Sequence, residues 1–242
     1  MAMAAGRTGG RILVDALVGQ GAEIAFCVAG ESYLEVLDAA LDRPELRLIT
    51  CRQEGGAAFM AEAYGKLTGR PAVCMVTRGP GACNASIGIH TAFQDSTPLV
   101  LLVGQVARDQ RDREAFQEVD FRQMFGPLAK WVAQIDSAAR IPEYVARAFR
   151  TAITGRPGPV VLALPEDMLR ERADVPDLPR AAPVQATPPT ATWGDSPRCC
   201  AGRSGPLPSS AAHPGPIRPA PGSSPSRRRG TCRSRVPSAA RT

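Results

Sequence analysis

Strand-like and helix-like segments alternate about six times between residues 10 and 170, and this alternation limits the folds open to the chain. The segments between the strand-like runs place apolar residues at helical spacing. Strands that alternate with helices across short connections form a parallel sheet with helices on both faces. The sequence therefore predicts an α/β domain with a parallel six-stranded sheet. The predicted strands are residues 23–30, 46–51, 71–77, 98–106, 130–135 and 158–165.

One helix start carries a local signal. Ser32 with Glu35 three residues later fits a capping box, and we predict that it opens a helix over residues 33–42. The apolar spacing within that segment predicts an inward stripe of three leucines. They are Leu34, Leu37 and Leu41.

Composition changes at about Ala173. Residues 173–242 contain 14 Pro, 10 Arg and 3 Asp, a net charge of +7, whereas residues 1–172 hold 19 basic and 20 acidic residues, a net charge of −1. A proline-rich segment without periodic apolar residues buries too little surface to offset its chain entropy. We therefore predict a folded domain over residues 1–172 and a disordered tail over residues 173–242.

The charge distribution and the apolar pattern argue against several classes of protein. A near-neutral folded domain offers no basic stripe for phosphates, so we do not expect it to bind nucleic acid. The arginine-rich run 226–235 could bind anionic surfaces, but such runs are more often simply solvated. No run of about 18 apolar residues and no signal-peptide pattern occurs, so the sequence indicates neither insertion into a membrane nor export. The seven cysteines show no paired metal-ligand spacing, which fits reduced thiols in a cytoplasmic protein.

Polar or glycine-rich residues follow three of the predicted strands. Ligands of open α/β sheets gather at the carboxyl ends of the strands, so these residues could line one pocket. Each also has an ordinary interpretation: a carboxylate favours the helix dipole, a glycine–proline–glycine sequence makes a tight turn, and a glutamine caps a loop. Their common register favours a binding site. The residues are Glu54, then Gly79, Pro80, Gly81 and Asn84, and then Gln105.

Four motifs stand in order along the chain. They are RQEGGAAFMAEAYGKLTGRPAVCMVTRGPGACNASIG, DSTPLVLLVGQV, EAFQEVD and GRPGPVVLALPEDM. In order and spacing they resemble the N-terminal pyrimidine-binding domain of thiamine-diphosphate-dependent enzymes of the acetolactate synthase group. The resemblance covers about residues 10–170. It implies the thiamine-diphosphate-binding fold, with thiamine diphosphate as the cofactor.

The resemblance implies a role for each candidate residue. The carboxylate matching Glu54 would form a hydrogen bond with a ring nitrogen of the aminopyrimidine and exchange a proton with it, a role called here the proton handle. This makes Glu54 the expected catalytic residue. The glycine–proline–glycine turn with Asn84 would wall that ring, and Gln105 would complete the site. For Phe116 simple packing is an equal alternative, and the only histidine of the domain, His90, is interpreted as a surface or packed residue. The implied substrate-side residues are Gly30, Phe116, Gln117 and Lys130.

The implied activity is decarboxylation of a small 2-oxo acid and transfer of the resulting carbanion to an acceptor, in a homodimer or homotetramer. In this family Mg²⁺ is bound by a GDG motif on another domain, and no GDG occurs in the chain. We therefore expect no metal ligands here and no activity from the chain alone. FAD, which some relatives carry mostly on a middle domain, is not supported by these motifs.

Two explanations of the missing half stay open. A separate subunit could supply the diphosphate half of the cofactor site. Alternatively, the reading frame could be truncated or shifted, and the change in composition from about Thr190 favours this second explanation. A non-catalytic binding or regulatory subunit is the alternative function.

Overall fold

The computed structural model describes residues 6–184. The strands are β1 (Arg7–Thr8), β2 (Ile24–Cys27), β3 (Arg47–Thr50), β4 (Ala72–Val76), β5 (Leu99–Gln105), β6 (Trp131–Gln134), β7 (Pro159–Pro165) and β8 (Arg172–Ala173). The helices are α1 (Gly9–Gly19), α2 (Leu34–Leu41), α3 (Glu54–Thr68), α4 (Gly79–Gln94), α5 (Phe121–Phe125), α6 (Ile141–Ile153) and α7 (Glu166–Arg170). None of the helices in this range is long and apolar enough to cross a membrane.

Six of the strands form one parallel sheet in the order β3-β2-β4-β5-β7-β6. The two longest strands, β5 and β7, are buried along their whole length, as expected of strands covered on both faces. The α/β class and the parallel six-stranded sheet predicted from the sequence are confirmed.

Helices cover both faces of the sheet and enclose two apolar cores. The core on one face contains residues of α1, α2, α6 and α7, and the core on the other contains residues of α3, α4 and α5. Successive residues of a strand point to opposite faces, so Leu101 of β5 enters the α3 and α4 core while Leu102 enters the other. This layering places α3 and α4 side by side on one face.

Helices α3 and α4, on the same face of the sheet, pack closely through small residues. A side chain on Gly88 of α4 would come within 2.5 Å of Ala58 Cβ on α3, so only glycine permits this approach. At its far end α3 stops at Gly69, whose φ of 68° is left-handed, a conformation that favours glycine. The amino ends of α3 and α4 are therefore held next to each other.

The prediction for α2 was wrong in two respects. Residues 31–33 form a 3-10 turn, so the helix begins at Leu34, and the Ser32 hydroxyl bonds the Thr77 hydroxyl instead of capping the helix. Leu34 and Leu41 are exposed, while the buried residues of α2 are Val36, Ala39 and Ala40. The small residues face inward because α2 crosses α1 at close range, where a side chain on Gly10 would collide with the Glu35 backbone.

The folded part also extends past the boundary predicted at residue 172. β8 pairs with β1, and the Gln20 side chain donates to the Pro179 carbonyl at 3.0 Å and accepts from the Ala181 amide at 2.8 Å. Val175 and Ala181 pack partly buried against the core. For residues 173–184 the prediction of disorder was therefore wrong, because a few apolar contacts and paired backbone groups suffice to hold them. The remainder of the predicted tail, residues 185–242, lies outside the described residues.

Candidate functional site

Glu54 is the first residue of α3 and lies at the carboxyl end of β3. The preceding Gln53 caps the helix, because its side-chain oxygen accepts a hydrogen bond from the Gly56 amide at 2.8 Å. The Glu54 side chain is half-buried, and a carboxylate at a helix amino end is favoured by the helix dipole. The strand-to-helix position predicted from the sequence is confirmed.

The amino end of α4 brings the glycine–proline–glycine turn to the same place. Asn84 Nδ2 donates to Glu54 Oε2 at 2.9 Å, which fixes one oxygen of the carboxylate. The other oxygen, Oε1, lies 3.6 Å from the position that a side-chain carbon on Gly81 would occupy. Oε1 has no hydrogen-bond partner within residues 6–184. The carboxylate therefore presents one free oxygen beside a residue without a side chain.

Gly79 packs against a different neighbour from Gly81, the loop that contains Gln117. Its amide donates to the Gln117 carbonyl at 3.0 Å. A side-chain carbon on Gly79 would lie 2.9 Å from both that carbonyl oxygen and Val119 Cγ2. Gln117 itself has a left-handed φ of 65°, an uncommon conformation for a residue with a side chain. Gly79 is therefore needed where the loop before α5 packs against the turn.

The substrate-side candidates fall into two groups. Gly30 packs against Thr77, two residues before the turn, since a side-chain carbon there would lie 2.7 Å from Thr77 Cβ. Gln117 reaches the turn through its backbone, and its neighbour Phe116 is 74% exposed. Simple packing therefore does not explain Phe116 in this chain.

Lys130 lies at the opposite edge of the sheet, immediately before β6. Its Nζ donates to the carbonyls of Thr151 and, at 2.7 Å, Thr154 at the carboxyl end of α6. A cation suits this end of a helix. Burial lowers the pKa of Lys130. Within the chain the structure does not bring Lys130 to Glu54.

Gln105 ends β5 and is only 3% exposed. Its Nε2 donates to the Val119 carbonyl at 2.9 Å, and its oxygen accepts from the Val106 amide at 2.9 Å. It lines a cavity of about 350 Å³ beneath the loop of residues 111–120, and that lining includes neither Glu54 nor Asn84. The Gln105 amide therefore orders the loop in this structure. His90, in contrast, is an exposed residue of α4, as predicted.

A charged cluster next to the turn was not predicted. Arg78 is 7% exposed, and its guanidinium donates to Glu31 and Glu166. Its one sequence signal is a cation directly after a buried strand and directly before a glycine-rich turn. The partners come from distant parts of the chain, so the sequence alone did not reveal the cluster.

Comparison with known proteins agrees with this geometry. Residues 7–124 match the family described as thiamine pyrophosphate enzyme, N-terminal TPP binding domain. The chain belongs to this family, as the N-terminal domain of acetolactate-synthase-like members. The resemblance stated from the motifs is confirmed.

Three relatives show which members are similar. The chain is 40% identical over 164 residues to an acetolactate synthase of Bacillus subtilis, covering 67% of the chain and 28% of the relative. It is 38% identical over 185 residues to a mitochondrial acetolactate synthase catalytic subunit of Aspergillus candidus, covering 73% and 27%. It is 37% identical over 186 residues to the large subunit of acetolactate synthase isozyme 3 of Escherichia coli, covering 76% and 32%. The chain thus spans less than a third of the length of these curated relatives.

The residues at the site fit the aminopyrimidine end of thiamine diphosphate. A free carboxylate oxygen can accept a hydrogen bond from a protonated ring nitrogen, and Gly81 leaves room for a flat ring to approach it. Within residues 6–184 no three His, Cys, Asp or Glu side chains cluster as metal ligands would.

Proposed function

We propose that this chain binds the aminopyrimidine end of thiamine diphosphate within an acetolactate-synthase-like enzyme. That enzyme decarboxylates a small 2-oxo acid and transfers the carbanion to an acceptor, which makes it both a lyase and a transferase. The observation that carries the proposal is the Glu54 carboxylate, with one oxygen held by Asn84 and the other free beside Gly81. The pairing restricts the carboxylate to one orientation.

The work of the chain's own residues follows from this arrangement. When bound, thiamine diphosphate supplies the carbanion-stabilising chemistry. Glu54 Oε1 accepts and returns a proton at a ring nitrogen, while Asn84 keeps the carboxylate from rotating. A hydrogen bond to a charged group contributes about 1.5–3 kcal/mol. A positioned acid or base contributes a factor of about 10²–10⁴ to the rate.

The diphosphate end of the cofactor and its Mg²⁺ need ligands from polypeptide outside residues 6–184. We propose that another subunit supplies them, either a second copy in a homodimer or homotetramer or a diphosphate-domain subunit. Exposed apolar side chains on α3 and α4 support such a partner, because water-exposed side chains of this size are favourably buried in an interface. They are Phe59, Met60, Leu67 and Ile87. FAD forms no part of the proposal, and a cytoplasmic location stays a prediction.

Calorimetry with thiamine diphosphate and Mg²⁺ tests the proposal, with and without a diphosphate-domain partner. We expect binding that needs the partner and is at least tenfold weaker in Glu54→Gln, because the amide keeps the shape but loses a hydrogen bond that involves a charged group. Turnover of pyruvate in the complex should fall by about 10²-fold or more in that variant. Glu143→Gln is the matched control, since Glu143 is exposed on α6 and pairs only with Arg140 in this part of the chain.

Near-normal turnover in Glu54→Gln would contradict the assignment of the proton handle. Tight binding by the chain alone would contradict the division of the site between subunits. Partner-dependent binding without turnover in the unaltered complex would favour a non-catalytic subunit.

A further inference from the structure

Arg78 is a buried arginine placed directly before the glycine–proline–glycine turn. One guanidinium nitrogen donates to Glu31 Oε1 at 2.9 Å and another to Glu166 Oε2 at 2.5 Å. The remaining nitrogen, Nε, is buried and has no hydrogen-bond partner within residues 6–184. Arginine is almost never buried so deeply unless it is paired, so the two carboxylates hold the side chain in place.

The two partners come from connections that follow other strands. Glu31 follows β2, and Glu166 is the first residue of α7 after β7. In the sheet β4 is next to β2, and β5 lies between β4 and β7. The guanidinium therefore spans the carboxyl end of β5. It joins the connections that follow β2, β4 and β7, all at the carboxyl ends of the strands.

A second contact supports the same junction. The hydroxyls of Ser32 and Thr77 lie 3.0 Å apart, so the connection after β2 is bonded to the connection after β4 twice. Ser32 also lies directly on Gly104 of β5, where any side chain would collide with it. The connection after β2 is thus seated on the sheet edge and offers Arg78 a fixed partner.

Arg78 also begins α4 through its backbone. Its carbonyl accepts from the Ala82 amide at 2.9 Å, the first bond of the helix. The next three residues include two glycines, which have no side chains to anchor the turn. The position of the helix start is therefore set by the Arg78 side chain on one side and by the Gln117 carbonyl on the other.

We propose that Arg78 is a positioning residue for the cofactor site. By bridging Glu31 and Glu166 it sets the start of α4 and so places Asn84 against the Glu54 carboxylate. This inference rests on the proposed function, because that function gives the ordered carboxylate its role. A lysine would keep the charge but could not donate with the planar fork that reaches two carboxylates. Loss of the cation would leave two carboxylates facing each other.

The side-chain amide of Asn84 reports on this positioning without any cofactor. In ¹H–¹⁵N spectra of the 242-residue chain, the bond to Glu54 should shift the Asn84 amide protons and slow their exchange. Glu54→Gln gives the reference spectrum without the carboxylate. In Arg78→Met we expect exchange at Asn84 about tenfold faster and a shift toward that reference. Arg78→Lys and Glu166→Gln should give smaller changes in the same direction.

Arg108→Met is the matched control. Arg108 pairs with Asp167 at 2.7 Å and Glu171 at 2.5 Å, so this variant also removes two ion pairs at α7 but leaves the start of α4 intact. We expect it to lower the melting temperature without moving the Asn84 signals. Unchanged Asn84 signals in a folded Arg78→Met or Arg78→Lys chain would overturn the proposal, as would an equal change in Arg108→Met. Since no cofactor is present, failure of the calorimetric test would leave this result unaffected, and the reverse also holds.

Discussion

Replacing each of the two glycines of the turn by alanine should have a different effect: Gly79→Ala should lower stability, and Gly81→Ala should lower cofactor affinity. A side-chain carbon on Gly79 would lie 2.9 Å from a backbone oxygen, about 0.5 Å inside the 3.4 Å at which ordinary contacts begin. Overpacking of this kind costs about 1–3 kcal/mol. Displacing the loop also weakens the hydrogen bond from Gly79 to Gln117, which contributes about 0.5–1.5 kcal/mol. We expect Gly79→Ala to lose about 2–3 kcal/mol of unfolding free energy.

Gly81→Ala meets a milder obstacle. The nearest neighbours of the new carbon are Thr77 Cγ2 at 3.1 Å and Val76 Cβ at 3.3 Å, so they must move by only a few tenths of an ångström. Replacing glycine by alanine inside a helix gains about 0.5–1 kcal/mol, which offsets this strain. The methyl group would, however, fill the space beside Glu54 Oε1. Gly81→Ala should therefore keep its stability and lose affinity for thiamine diphosphate in the partner complex.

Thermal unfolding and limited trypsin digestion separate the two variants. For a folded part of this size 1 kcal/mol corresponds to about 2–4 °C, so Gly79→Ala should melt about 4–12 °C lower. Cleavage at the exposed Arg111 and Arg113 in the displaced loop should be faster in the same variant. Gly19→Ala is the control, since nothing lies within 4 Å of its new carbon. Equal melting temperatures and cleavage rates for Gly79→Ala and the unaltered chain would refute the reasoning.

Two further predictions concern charged groups away from the turn. Asp15 is buried; burial opposes its ionisation, but hydrogen bonds from Arg7 and Arg43 outweigh it and lower the pKa of Asp15. The stabilisation is therefore present above the ordinary value of about 3.9 and is lost as pH falls through the lower folded value. Asp15→Asn should cost about 3–5 kcal/mol at pH 7, measured by urea unfolding, and flatten the acid limb of the stability profile. Lys130→Met should lower stability by about 1–3 kcal/mol without changing cofactor affinity in the partner complex; a loss of affinity would place Lys130 at the site after all.

The sheet could be predicted from the sequence because its signals are local. Apolar runs such as residues 98–106 are too hydrophobic on both faces for anything except a covered central strand. The helix stop at Gly69 is also a local signal, since a left-handed residue there favours glycine. Glu54 and Asn84 were found for the same reason, because each belongs to a segment that follows the end of a predicted strand.

The errors arose where distant residues decide the outcome. Ser32 has the spacing of a helix cap, but its hydroxyl meets Thr77, 45 residues later, and the cap is lost. Of the predicted leucine stripe of α2, Leu34 and Leu41 point outward and only Leu37 packs partly against the core, because Gly10 lets α1 approach closely. The segment that follows β8 is held through residues 178–181 by Gln20, which lies 158 to 161 residues away in the sequence. No periodicity in the sequence reports such contacts.

The turn before α4 shows what its motif encodes. Gly79 is demanded by the backbone of the Gln117 loop, and Gly30 is demanded by Thr77, so both glycines have packing reasons that need no ligand. A matching glycine–proline–glycine sequence therefore indicates first that the connections at the carboxyl ends of the strands are packed in the same way. The proposed chemistry depends instead on the pair formed by Glu54 and Asn84. The helix dipole accounts for a carboxylate at the start of α3, but it does not account for the bond from Asn84 that holds Oε2 and leaves Oε1 without a partner in the described chain.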